Sequence, residues 1–107
     1  MEINSEGTDS VVISVVGEVD LATAPRLERS LDEALGRSGV TEVKVDLSQV
    51  EFMDSAGLRV LVAALRKAKD NGQSLILHRP HDRVRRIIEI TGLSDVFGLA
   101  AAGTESG

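Results

Sequence analysis

Three short apolar runs, each followed by a segment of helical periodicity, set the architecture of this chain. Val11, Val12, Ile13, Val15 and Val16 form a β-branched run that reads as a strand buried on both faces. Glu42 to Leu47 alternates polar and apolar, which predicts a second strand carrying Val43, Val45 and Leu47 on one face. Leu75-Ile76-Leu77 reads as a third buried strand, broken by Pro80. After the first strand, Thr23 is expected as an N-cap with Pro25 in the first turn. Leu27, Leu31, Ala34 and Leu35 then recur at helical spacing, and Gly36 or Gly39 stops the helix. Residues 48 to 54 are expected as a loop after the second strand, before a helix carrying Leu58, Leu61, Val62 and Leu65 that ends near Gly72. Asp82 is expected to cap a third helix with Val84, Ile87 and Ile88 inward and Gly92 as its C-cap. Ile3 belongs to an additional first strand, joined through Glu6-Gly7-Thr8-Asp9 in a hairpin, and Val96-Phe97 suggests a last short one.

The order is therefore ββαβαβα, with a possible final strand. Strands separated by helices pair in parallel through right-handed crossovers, so the expectation is an α/β fold with one mixed sheet. A chain of 107 residues suits one domain with one core. No repeat, linker or low-complexity boundary divides it. The tail from Ala100 to Gly107 is small and polar and is expected to fray.

Composition removes several function classes. Phe52 and Phe97 are the two aromatic residues, so stacking platforms for bases or sugars are nearly absent. The formal net charge of −5 disfavours phosphate backbones and anionic membranes as partners. There is no cysteine, which excludes disulfides, thiolate catalysis and cysteine-held metals. No apolar run approaches the roughly 18 residues of a membrane span, and the polar start (Glu2, Asn4, Glu6) does not read as a secretory signal. A cytoplasmic location is the expectation. No phosphate-binding glycine motif suggests a nucleotide site, and no cofactor or metal is expected.

The chemistry concentrates in Phe52-Met53-Asp54-Ser55-Ala56-Gly57-Leu58, where a strand gives way to a helix. Ser55 sits at the helix N-terminus, where free backbone N–H groups and the helix dipole would favour a phosphate. Ala56 and Gly57 leave the hydroxyl uncrowded, so another protein surface can come close. Against this stands plain capping by Asp54 or Ser55. A nucleophile elbow needs a glycine two residues before the serine, and Met53 occupies that place. His78 and His81 are the candidate bases; neither lies in a triad context, and Pro80 keeps them off a shared helix face, which also argues against a metal pair. Arg79, Arg83, Arg85 and Arg86 read as a solvated helix face, with an acidic protein contact as the alternative. Gly17-Glu18-Val19-Asp20 reads as a wet strand end.

Taken together, these segments resemble a known group. Gly17-Glu18-Val19-Asp20-Leu21-Ala22-Thr23-Ala24 is similar to the G-E-[LIV]-D segment of bacterial anti-sigma factor antagonists. Val45-Asp46-Leu47-Ser48 through Leu58 is similar to their central signature, and Thr91-Gly92-Leu93 with Val96-Phe97 to a late segment. These are single STAS domains (sulfate transporter and anti-sigma antagonist), and the resemblance spans residues 10 to 98. It implies a mixed, mostly parallel sheet of about four to five strands with helices mainly on one side, a core over about residues 3–98 and a flexible tail at 99–107.

The resemblance also implies a function. The unphosphorylated antagonist binds a kinase-type anti-sigma factor and frees a sigma factor. The kinase inactivates it by phosphorylating the serine after the aspartate, here Ser55, and a separate phosphatase restores it. Asp20, Asp54, Ser55, Ala56 and Gly57 are then the partner-binding residues of a non-enzyme that is a monomer when free, with no nucleic-acid or membrane partner. The alternatives are a STAS subunit of a transporter or stress-signalling assembly without a phosphoserine cycle, and a small serine hydrolase. Two departures stand out: Ala56 replaces the second serine of many members, and the family's C-terminal helix has no clear counterpart here.

Overall fold

The computed structural model describes residues 1–90 of the chain. Four strands form one sheet in the order β1-β2-β3-β4: Glu2–Gly7, Ser10–Val19, Glu42–Met53 and Ser74–His78. The hairpin of β1 and β2 is antiparallel, and β2, β3 and β4 run parallel. Three helices connect or follow them: α1 (Ala24–Gly36), α2 (Ser55–Asp70) and α3 (Asp82–Ile90). Gly7 closes the hairpin with φ of 120°, and a Cβ there would collide with the Ser10 carbonyl oxygen.

One face of the sheet carries the core. Val11, Ile13 and Val15 of β2, Val43, Val45 and Leu47 of β3, and Leu75 and Leu77 of β4 are buried. Leu27, Leu31, Ala34 and Leu35 of α1 and Leu58, Leu61, Ala64, Leu65 and Ala68 of α2 complete the same cluster, which Val84 and Ile88 of α3 also join. The opposite face is wetter than the apolar runs suggested. Val12 is 37% and Ile76 38% exposed, so β2 and β4 are one-sided strands rather than strands buried on both faces.

The second departure is β3. It does not stop at Leu47 but continues to Met53. Its pairing with β2 slips between Ser14 and Val16 and again between Gly17 and Glu18, so β3 spends two extra residues over that stretch. The inward positions accordingly change from spacing two (Val43, Val45, Leu47) to spacing three (Leu47, Val50, Met53), all fully buried. Alternation fails there because of the bulges, which is why the segment reads as a loop.

Two turns also differ from expectation. Thr23 occupies the N-cap position of α1, but its hydroxyl makes no bond to the helix. At α3 the capping group is His81, not Asp82: its carbonyl accepts the Arg85 N–H at 2.8 Å and its Nδ1 accepts the Arg83 N–H at 3.3 Å. The expected Gly92 cap, the Val96-Phe97 strand, the late Thr91-Gly92-Leu93 segment, the C-terminal helix and the tail lie outside the described residues.

Candidate functional site

The parallel pairing of β2 and β3 brings two distant segments to one end of the sheet. Val19 pairs with Met53, and the Asp54 N–H donates to the Val19 carbonyl at 3.1 Å. Asp20 and Asp54 therefore leave neighbouring strand ends, as expected for crevices at the carboxyl ends of parallel strands.

Asp20 closes a tight turn into α1. Its carboxylate accepts the N–H groups of Ala22 and Thr23, both at 3.0 Å, and lies 3.1 Å from the Thr23 hydroxyl. That hydroxyl in turn accepts the Asp20 N–H at 2.9 Å and reaches the Glu18 carbonyl at 3.1 Å. The Asp20 carbonyl takes the N–H groups of Thr23 and Ala24. The Thr23 amide foremost, then its hydroxyl, holds the Asp20 carboxyl below its ordinary range. Leu21, at the tip of this turn, is 80% exposed.

Asp54 is the N-cap of α2, in extended conformation, and its Oδ1 accepts the N–H groups of Ala56 at 2.9 Å and Gly57 at 3.3 Å. This settles the alternative between Asp54 and Ser55 as the cap. It also corrects the expectation of free amides awaiting a phosphate, since the Asp54 carboxylate already occupies two of them. Ser55 is the first helical residue and is exposed, and among the described residues its hydroxyl makes no hydrogen bond to the protein. Ala56 is half-buried against the core.

Gly57 is not part of the accessible surface. It is buried on the inner face of α2, and a Cβ there would lie 2.7 Å from Met53 Cγ and 2.8 Å from Val19 Cγ1. Its missing side chain lets the helix approach the strand ends, rather than opening room for another protein. It therefore shapes the site from below, and of the five expected contact residues it is the one the fold turns inward.

Beside this end, a groove of about 450 Å³ runs between β2, β3 and α3, lined by Glu18, Glu51, Phe52, Arg83, Arg86 and Ile87. Its charges are of both signs and do not converge on one ligand chemistry. Among the described residues no group of three or more His, Asp or Glu side chains is placed to hold a metal ion, and no helix is long and apolar enough to cross a membrane. The arginine cluster divides: Arg79 pairs with Asp46 at 2.9 Å, while Arg83 and Arg86 face the groove. Burial raises the Asp46 carboxyl, but the Ser48 amide and hydroxyl and the Arg79 guanidinium outweigh it and bring it below its ordinary range.

A family model for the STAS domain matches residues 2–105. The chain belongs to the STAS domain family. Two relatives of this STAS domain are named anti-sigma-B factor antagonist. The one from Listeria monocytogenes is 38% identical over 99 residues, covering 92% of this chain and 86% of the relative. The one from Staphylococcus aureus is 35% identical over 108 residues, covering 98% of each. Among solved structures, an anti-sigma factor antagonist from Mycobacterium paratuberculosis superposes with a TM-score of 0.77 at 33% identity, covering 90% of this chain and 81% of that one. The anti-sigma factor antagonist SpoIIAA in its unphosphorylated form shares the fold, with a TM-score of 0.77 at 24% identity over 88% of this chain and 84% of that one.

Proposed function

We propose that this STAS domain is an anti-sigma factor antagonist that binds a kinase-type anti-sigma factor when Ser55 is unmodified and loses that partner when Ser55 is phosphorylated. The observation that carries the reading is the placement of Ser55: an exposed, unbonded hydroxyl on the first residue of α2, beside the Asp20 turn. The names of relatives at 35–38% identity support it. On this reading the chain regulates rather than catalyses, works in the cytoplasm as a monomer when free, and is restored by a phosphatase acting on phosphorylated Ser55. Asp20, Asp54, Ser55 and Ala56 form or frame the contact, and Gly57 sets its shape.

The switch works by charge. A phosphate adds about −1.5 to −2 charges next to Asp54 and the Asp20 turn, and that charge must be desolvated when a partner closes over it. A loss of a few kcal/mol is enough for a roughly hundredfold weaker complex. The test is calorimetric titration of the unmodified protein, the phosphorylated protein and Ser55→Ala against the purified anti-sigma factors of the same genome. The unmodified and Ser55→Ala forms should bind one of them, and the phosphorylated form should bind at least about a hundredfold more weakly. Equal affinity of the phosphorylated and unmodified forms refutes the switch.

A further inference from the structure

We propose that Asn71 is a site of self-modification, where the chain turns its own carboxamide into a carboxylate, and that Gln73 is the latch that sets how fast. This chemistry lies at the opposite end of α2 from Ser55 and is independent of the partner-binding reading.

Asn71 and Gly72 follow the last turn of α2, and both are exposed. Gly72 has φ of 72°, and a Cβ there would meet nothing within 4 Å. Backbone conformation therefore accounts for the glycine, not crowding. Its lack of a side chain also leaves its amide nitrogen open to the neighbouring carboxamide. That nitrogen, on losing its proton to hydroxide, attacks Asn71 Cγ. The N–Cγ bond forms, the Cγ–Nδ2 bond breaks, and Nδ2 leaves as ammonia after taking a proton from water. Water then opens the resulting succinimide at either carbonyl, giving aspartate or isoaspartate at this position. Asn4, the other asparagine of the chain, precedes Ser5 inside β1 and pairs with Ser14, so its following amide is both hindered and held in the ladder.

The folded turn withholds this reaction. Ring closure needs the Gly72 nitrogen close to the Asn71 side chain, and ψ of 0° at Asn71 turns it away. Rotating that bond breaks the hydrogen bond from the Gly72 N–H to the Lys69 carbonyl, 3.1 Å long. Gln73 holds the same turn from the other side. Its N–H donates to the Ala68 carbonyl at 2.8 Å, and its Oε1 accepts from Asn71 Nδ2 at 3.2 Å. Its Nε2 donates to the carbonyls of Leu35 and Val40, at the end of α1 and on the approach to β3. The reaction therefore proceeds from molecules whose turn has opened locally, a population set by these bonds. Isoaspartate routes the main chain through Cβ and adds a carbon between α2 and Gln73, which displaces the latch from its two carbonyls.

The experiment ages the purified full chain in mildly alkaline buffer, with and without urea. The peptide that carries Asn71 is read by mass spectrometry, after chromatography that separates isoaspartate from aspartate. Isoaspartate should accumulate at Asn71 and not at Asn4, about fivefold or more faster in urea than in the folded chain. Gln73→Ala, shown by circular dichroism to be folded, should age about fivefold or more faster than the folded unaltered chain, and the two should age alike in urea. Gln73→Glu keeps an oxygen for Asn71 but cannot donate to Leu35 and Val40, and it serves the same comparison if Gln73→Ala does not fold. No isoaspartate at Asn71 overturns the self-modification, since direct hydrolysis of the carboxamide yields aspartate alone. A folded latch variant ageing within about twofold of the unaltered chain overturns the role of Gln73. Equal rates for the unaltered chain with and without urea overturn the protection by the turn.

Discussion

Gly57 shows how a residue that looks permissive at the surface is a requirement of the interior. A methyl group there meets Val19 Cγ1 at 2.8 Å and Met53 Cγ at 2.7 Å. Met53 is flexible enough to shift, but the β-branched Val19 is stiff. Gly57→Ala should therefore destabilise the fold by about 1–3 kcal/mol of overpacking, against about 1 kcal/mol gained in helix propensity. Chemical denaturation should show a net loss, and adding Val19→Ala should recover part of it by making room. The two perturbed aspartates give a second prediction. Folding holds Asp20 and Asp46 below their ordinary value of 3.8, so folding favours their ionised forms. Their stabilisation is complete above that value and is lost as pH falls through the lower folded values. Stability measured from pH 6 down to pH 2 should fall along this limb, and Asp20→Asn with Arg79→Met should flatten it. A cap by Asp54 or Ser55 was legible from residue type and place, and the hydrogen bonds to Ala56 and Gly57 decide for Asp54. The inward turn of Gly57 was not, because nothing in the chain around it states that Val19 lies above.

Among the elements, α1 depends on a contact from a segment distant in the sequence. The Gln73 side-chain amide donates to the carbonyls of Leu35 at 3.0 Å and Val40 at 2.8 Å, satisfying acceptors where α1 ends and β3 approaches. Gln73→Ala should cost about 1–3 kcal/mol by leaving partly buried carbonyls unpaired, read as a lower denaturation midpoint with an unchanged slope. The three helices and the parallel order of β2, β3 and β4 could be read from periodicity, since their apolar residues keep to one face. What could not be read were features set by pairing across the sheet. The two register slips in β3 break the alternation that marks a strand, and the Gln73 bridge spans 38 residues in sequence from Leu35. The wet outer face of β2 was missed for a related reason: Val12 and Val16 are apolar by type, and only the layer count decides whether anything covers them.

At the scale of the whole molecule, the site is a junction rather than a pocket. Val19 and Met53 are paired neighbours 34 residues apart in the chain, and the turn of Asp20 and the cap of Asp54 are built outward from that pair. Because the Asp54 carboxylate already holds two helix amides, a phosphate on Ser55 gains less from the helix end than an uncapped one would offer. Phosphorylation should therefore shift the melting temperature only slightly and downward, by an amount equivalent to about 1 kcal/mol or less, and the proposed loss of partner affinity should be far larger. Differential scanning calorimetry of the two forms checks this, and a marked stabilisation would show that the phosphate displaces Asp54 as the cap.

The hydrogen bond from Asp54 to the Val19 carbonyl has one more consequence, for the order of events in synthesis. The turn at residue 20 emerges from the ribosome well before residue 54, and the two halves meet only once α1 has crossed over and β3 has docked in register. An enzyme that recognises both halves would read a finished product and ignore nascent or unfolded copies. Regulation of this kind doubles as inspection: only molecules that have completed their assembly are eligible to be counted.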